Sequence, residues 1–248
     1  MELQLRKPRR HGLDTIRGLA LVNMILYHLS WDQVYMFGAN WDWYRSDGAY
    51  VWQQGICWTF ILLSGYCFHL GRHRLRRGLM AFGGGLLVSA VTLVAMPDAP
   101  IFWGILSLLG SAVLLTIPLD KLFLKIPARV GLAFSFCLFL IFGEVNAGYL
   151  GFEGARFLAL PEALYANLFT AYLGFPMAGF RSSDYFPLLP WLFLFWTGYF
   201  LYRLQPEDPH RGLPKIPVVT FMGRHSLVVY LLHQPLVYGA LMVWHMIF

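Results

Sequence analysis

The chain has 248 residues, 58% hydrophobic and 13% charged, with a formal charge of +6 at pH 7. A soluble domain carries about 25% charged residues, so the composition excludes an ordinary soluble domain. Several long apolar runs instead indicate an all-α, polytopic bundle in the lipid bilayer. The basic residues flank those runs, as membrane topology requires, and give no reason to expect a nucleic-acid partner.

In chain order, residues 1–11 form a basic arm. The first apolar run, residues 13–31, has no small-residue cleavage site and reads as a retained first helix. An acidic, aromatic loop follows, in which Trp41, Trp43 and Tyr44 suit a membrane–water interface. Further spans are expected at residues 51–70, 78–95, 101–117 and 130–143, with Gly83, Gly84 and Gly85 allowing close helix approach in the third. Residues 144–186 form the longest stretch between spans. Within it, residues 158–173 read as an interfacial or re-entrant helix interrupted by Pro161. A sixth span starts at DYFPLLPW and ends near Tyr202. The last run, residues 218–248, is long enough to cross with a kink at Pro235. This makes one integral-membrane domain, residues 1–248, of about seven spans. Cys57, Cys67 and Cys137 are odd in number, lie in apolar segments and lack metal-ligand spacing, so neither disulfides nor a metal are expected.

Basic clusters recur in every second loop: Arg6 to Arg10, Arg72 to Arg77, Lys121 to Arg129, and Arg203 to Lys215. The intervening loops carry Asp32, Asp42, Asp47, Asp98, Glu144 and Glu153. The positive-inside rule then puts the N-terminus in the cytoplasm.

The first span carries Asp14, Arg17, His28 and Asp32. At about 100° per residue, the step from Arg17 to His28 returns to within ~20° of its start, and the two aspartates fall within ~60° of the same line. Each ionisable group at membrane depth costs at least ~2.5 kcal/mol, so the stripe must face the protein interior. Arg17, near the cytoplasmic end, has a fork suited to phosphate oxygens; the alternative is an Asp14–Arg17 pair that only fixes packing. His28 lies about 16 Å further along the axis and can take a proton from a hydroxyl or amine. Asp32, at i+4, can orient it. The alternative is a histidine at the outer interface bonded to backbone.

Other candidates are Ser64 in FILLSGY, Ser107 in GILSLLG, and Asp184 with Tyr185 in SDYFPLLPW, where an acidic helix N-cap is the simpler explanation for Asp184. Arg224, Tyr230 and His233 cluster in GRHSLVVYLLHQP, and Tyr230 and His233 share a helical face. That face either lines the same cavity as the stripe or bonds between helices.

LDTIRGLALVNMILYHLSWD, FILLSGY, GILSLLG and DYFPLLPWLFLFWTGY, in this order, resemble the bacterial relatives of the heparan-alpha-glucosaminide N-acetyltransferase catalytic domain, within the wider membrane acyltransferase group. The resemblance implies transfer of an acetyl group from cytosolic acetyl-CoA to a sugar amine or hydroxyl of a saccharide or glycan at the outer face of a bacterial cytoplasmic membrane. It places Arg17 at the nucleotide phosphates; Asp14 and Arg224 are the further residues expected to bind the cofactor. It makes His28 a general base or a transient acetyl carrier. Two positions depart from the family: Ser107 stands where members often have histidine, and no histidine occurs between His28 and His69. A transporter or flippase, or a non-catalytic membrane subunit, would use the same stripe differently, and a homo-oligomer stays open.

Overall fold

In the computed structural model the described residues are 11–205 and 214–247. Most of the basic arm, residues 1–10, and the polar stretch 206–213 that includes Arg211 lie outside them. The helices are α1 (His11–Tyr35), α2 (Asp47–Tyr66), α3 (Arg74–Ala95), α4 (Ile105–Phe123), α5 (Ala128–Ile141), α6 (Leu168–Leu173), α7 (Trp191–Leu204), α8 (Pro217–Arg224) and α9 (Ser226–Ile247). Each of the seven apolar runs contains a helix. Four helical stretches are long and apolar enough to cross a membrane: Arg74–Ala95, Ile105–Phe123, Ala128–Ala147 and Ser226–Ile247. Helix α1 carries the polar stripe, and α7 has 14 residues, about 21 Å of helix against a hydrocarbon core of ~30 Å. Val91 and Val94 of α3 and Leu236 and Met246 of α9 lie on strongly exposed apolar faces. Faces of that extent match a lipid solvent and belong to an integral membrane protein.

The chain divides into two compact units, residues 1–60 with 205–248, and residues 61–204. In the first, α8 crosses the start of α1 at close quarters. A Cβ on Gly18 would run into the Val219 carbonyl, and one on Gly223 into the Asp14 carbonyl. Glycine is what lets these backbones touch. Thr15 and Thr220 meet through their hydroxyls at 3.0 Å in the same seam. The chain breaks at His225, and α9 then runs beside α1 in the same direction. Tyr230 packs on the Leu21, Met24 and Ile56 core, His233 reaches His28, and His245 reaches Gln33. The break in the last apolar run is therefore at Arg224–His225; Pro235 sits inside an unbroken α9. The break falls just after Gly223, where the close approach to α1 ends.

In the second unit, α3 and α4 form an antiparallel pair. Gly85 abuts Ser107, and Gly110 abuts the Phe82 backbone; no contact within 4 Å lies over Gly83. Arg74, at the start of α3, pairs with Asp120 near the end of α4 at 2.7 Å. Tyr199 of α7 donates its hydroxyl to the other Asp120 oxygen at 2.7 Å. Arg203 donates to the carbonyls of Phe123, Leu124 and Ile126 just past the α4 C-terminus, where the helix leaves acceptors unpaired.

Residues 144–186 differ from the expected interfacial helix. Strands β1 (Tyr149–Phe152) and β2 (Ala155–Ala159) make an antiparallel hairpin. Its two-residue turn, Glu153–Gly154, has positive φ at both positions (48° and 85°), the primed-turn geometry that suits a hairpin's twist. Only Leu168–Leu173 is α-helical, started by an Asn167 capping box and stopped at Gly174. Pro161 precedes a short 3-10 turn, so helix cannot extend through it.

Candidate active site

The stripe faces the protein along α1. Asp14 and Asp32 are buried, and Arg17 and His28 are half-buried. At the N-terminal end, Asp14 lies between two guanidinium groups: Oδ1 is 3.3 Å from Arg17 and Oδ2 is 3.5 Å from Nε of Arg224. Arg17 also reaches the Gly223 carbonyl at 3.5 Å, and Arg224 meets His11 Nδ1 at 2.9 Å. The expected Asp14–Arg17 pair exists, and Arg224 joins it because the α1–α8 crossing brings the end of α8 to the same carboxylate. The cluster holds two cations and one anion, with both arginines partly open to the surface. A net positive, two-forked group of this kind can take phosphate oxygens while Asp14 holds the forks in place.

The other end of the stripe is organised differently from the sequence expectation. No hydrogen bond joins His28 to Asp32 among the described residues. The Asp32 carboxylate, fully buried, instead accepts from the Gln234 amide at 2.8 Å. His28 lies against His233, with ring centroids 4.9 Å apart, and edge-on to Tyr27. The reason is geometric. The face of α1 that carries His28 and Asp32 is covered by α9, whose residues 233 and 234 offer a ring and an amide at that level.

Three buried polar atoms here have no hydrogen-bond partner among the described residues: Asp32 Oδ2, His233 Nε2 and Gln234 Oε1. Their chemical sense can be read from their neighbours. The Gln234 nitrogen is turned to a carboxylate, so its oxygen is left over. His233 Nδ1 contacts the Tyr230 carbonyl, which only accepts, so Nδ1 carries the proton and Nε2 of the neutral ring accepts. All three atoms are therefore acceptors. Leaving each unpaired in the interior costs about 1–3 kcal/mol, and the group that satisfies them must bring donors: an amine, a hydroxyl or water.

The remaining candidates lie in the second unit, and their surroundings are structural. Ser107 is fully buried in the α3–α4 seam against Gly85, and its hydroxyl is unpartnered. Its carbonyl takes the Ser111 hydroxyl, which in turn accepts from Tyr172 at 2.6 Å. Ser64 is half-buried on α2, one residue before the Gly65 contact with Phe195. Asp184 does cap a helix, but the helix is α4: its Oδ2 accepts from the Ile105 N–H at 3.4 Å. Tyr185 donates to the Ala171 carbonyl. Burial pushes the Tyr172 phenol above its ordinary value, so it stays a protonated donor at neutral pH.

Sequence reasoning missed two residues. Gln234 was passed over beside His233, although an amide in an apolar run is itself a signal of internal pairing. Asp120, the one acid beside the basic cluster that starts at Lys121, is the anchor of Arg74 and Tyr199. No group of three or more histidine, cysteine or acidic side chains disposed to hold a metal occurs among the described residues.

The family model described as heparan-alpha-glucosaminide N-acetyltransferase, catalytic, matches residues 9–235. No curated protein and no solved structure matches the chain.

Proposed function

Because the chain belongs to the heparan-alpha-glucosaminide N-acetyltransferase catalytic-domain family, a family of membrane acetyltransferases, we propose that it moves an acetyl group from cytosolic acetyl-CoA to an amine or hydroxyl of a saccharide at the outer face of a bacterial cytoplasmic membrane. The alternating basic loops support seven crossings with a cytoplasmic N-terminus. On that topology the Asp14, Arg17 and Arg224 cluster lies at the cytosolic end of α1, where Arg17 and Arg224 grip the phosphates of the acyl donor. His28 and Asp32 lie at the outer end.

The observation that carries the reading is the buried patch of three acceptors beside His28. It has the polarity to hold the N–H or O–H groups of an acceptor molecule and to turn its nucleophilic atom toward a base. His28 removes the proton of that amine or hydroxyl as the nitrogen or oxygen bonds to the acetyl carbonyl carbon. The carbon–sulfur bond breaks, and the proton held by His28 passes to the departing thiolate. Asp32 and Gln234 act by holding the acceptor, and His233 packs His28 in place. In a two-step version His28 carries the acetyl group itself before the acceptor takes it.

The test is purified protein incubated with acetyl-labelled acetyl-CoA and a panel of aminosugars and neutral sugars. Labelled sugar is expected from the wild type and none from His28→Ala, with acetyl-CoA binding retained in that variant. Absence of any acetyl-CoA binding by the wild type overturns the assignment.

A further inference from the structure

The second unit contains a cavity of about 580 Å³, within the ~300–1,000 Å³ of small-molecule sites. It opens between the loop joining α3 to α4 and the segment preceding α7. Its walls are tied together. Ser183 donates its N–H to the Pro100 carbonyl at 3.1 Å and its hydroxyl to Ala99 at 3.1 Å. Phe102 donates its N–H to the Ser182 hydroxyl at 3.0 Å. Binding therefore does not have to order these two loops first.

The lining has two kinds of surface. Phe180 leans on Tyr185 with ring centroids 4.9 Å apart, and Met177 extends this apolar side. The rim carries one carboxylate, Asp98, one guanidinium, Arg181, and one carboxamide, Asn146, all exposed. None of these three has a hydrogen bond or ion pair within the described residues. Their charges cancel, and together they offer donors and acceptors in planar pairs. A phosphate or carboxylate would meet Asp98; an ammonium would meet Arg181; a hydrocarbon would leave all three unpaired. A ring with an apolar C–H face and vicinal hydroxyls meets every condition.

We propose that this cavity is a saccharide-binding subsite for one uncharged pyranose ring, stacked on Phe180 and Tyr185 and hydrogen-bonded by Asp98, Asn146 and Arg181. The subsite stands on its own lining and does not depend on acetyl transfer.

The test uses the full chain in a detergent without a sugar headgroup. Glucose, galactose, N-acetylglucosamine and their disaccharides are the probes, read by calorimetry and saturation-transfer NMR, with inorganic phosphate and ethanolamine as charged controls. At least one neutral sugar is expected to bind saturably. Arg181→Ala and Phe180→Ala are each expected to weaken it about tenfold, equivalent to ~1.4 kcal/mol, while acetyl-CoA binding stays at the wild-type level. Arg181 and Asp98 are exposed, so Arg181→Ala and Asp98→Asn report on binding without a folding cost. Three results overturn the proposal: no neutral sugar binds, binding is unchanged in Arg181→Ala and Asp98→Asn, or phosphate or ethanolamine binds with the same dependence on these residues. Failure here with acetyl transfer intact removes the subsite alone; loss of acetyl-CoA binding with sugar binding intact removes the transferase reading alone.

Discussion

Replacing Gln234 with leucine isolates the energetics at the outer end of α1. Asp32 is fully buried, and among the described residues its one side-chain hydrogen bond is the 2.8 Å contact from Gln234. Its other oxygen is already unpaired. Leucine at 234 leaves a carboxylate with no donor at either oxygen. A hydrogen bond to a charged group contributes about 1.5–3 kcal/mol, and leaving a buried charged group unsatisfied costs more than the ~1–3 kcal/mol of a neutral one. A loss of ~2–4 kcal/mol is therefore expected. At ~2–4 °C per kcal/mol for a chain of this size, Tm should fall by roughly 4–16 °C in a thermal unfolding scan of detergent-solubilised protein. The double variant Asp32→Leu/Gln234→Leu removes both polar partners, and most of the lost Tm should return because no uncompensated charge is left. Acetyl transfer should be lost in the double variant even as Tm returns, since two of the three acceptor atoms are gone. An unchanged Tm in Gln234→Leu, or a double variant that loses as much as the two single variants summed, would refute the pairing.

Three further outcomes follow from the geometry. Gly223→Ala puts a methyl group into the Asp14 carbonyl; overpacking of this kind costs about 1–3 kcal/mol, and the yield of folded protein in size-exclusion chromatography should drop. Ser107→Ala should keep turnover within about twofold of wild type and leave stability equal or higher, because it deletes a buried, unpartnered hydroxyl; a tenfold fall in turnover would place Ser107 in the reaction. Arg17→Ala should weaken acetyl-CoA binding by about 10–100-fold, the value of one charge-assisted contact, in equilibrium binding with labelled donor; unaltered affinity would make the Asp14 cluster purely structural.

Much of the first helix was legible in advance. Four polar residues in an apolar run can only face inward, so the burial of Asp14 and Asp32 follows from lipid being the alternative. The pairing of Asp14 with Arg17 follows from helical spacing alone. Arg224 stood out in the GRHSLVVYLLHQP cluster, but its contact with Asp14 depends on Gly18 and Gly223 letting α8 close on α1. The Asp32 partner was misassigned for the same reason: helical spacing names residues on one's own helix, whereas α9 supplied Gln234 from 202 positions away. The hairpin at residues 149–159 left only a weak local signal: Gly154 suits a primed turn, but Glu153 also adopts a positive φ that side-chain-bearing residues seldom take.

Length and hydropathy determined that this is a mostly helical membrane protein and that each long apolar run holds a helix, because the bilayer imposes that pattern residue by residue. Motifs spread over the chain were enough to identify the family. Only the tertiary structure decided which acceptors are left over beside His28, that Ser107 faces a helix seam, and that Asp184 serves α4. Each of these depends on what a distant segment brings to the same point, and helix–helix contacts made by glycine backbones leave no periodic trace in the sequence.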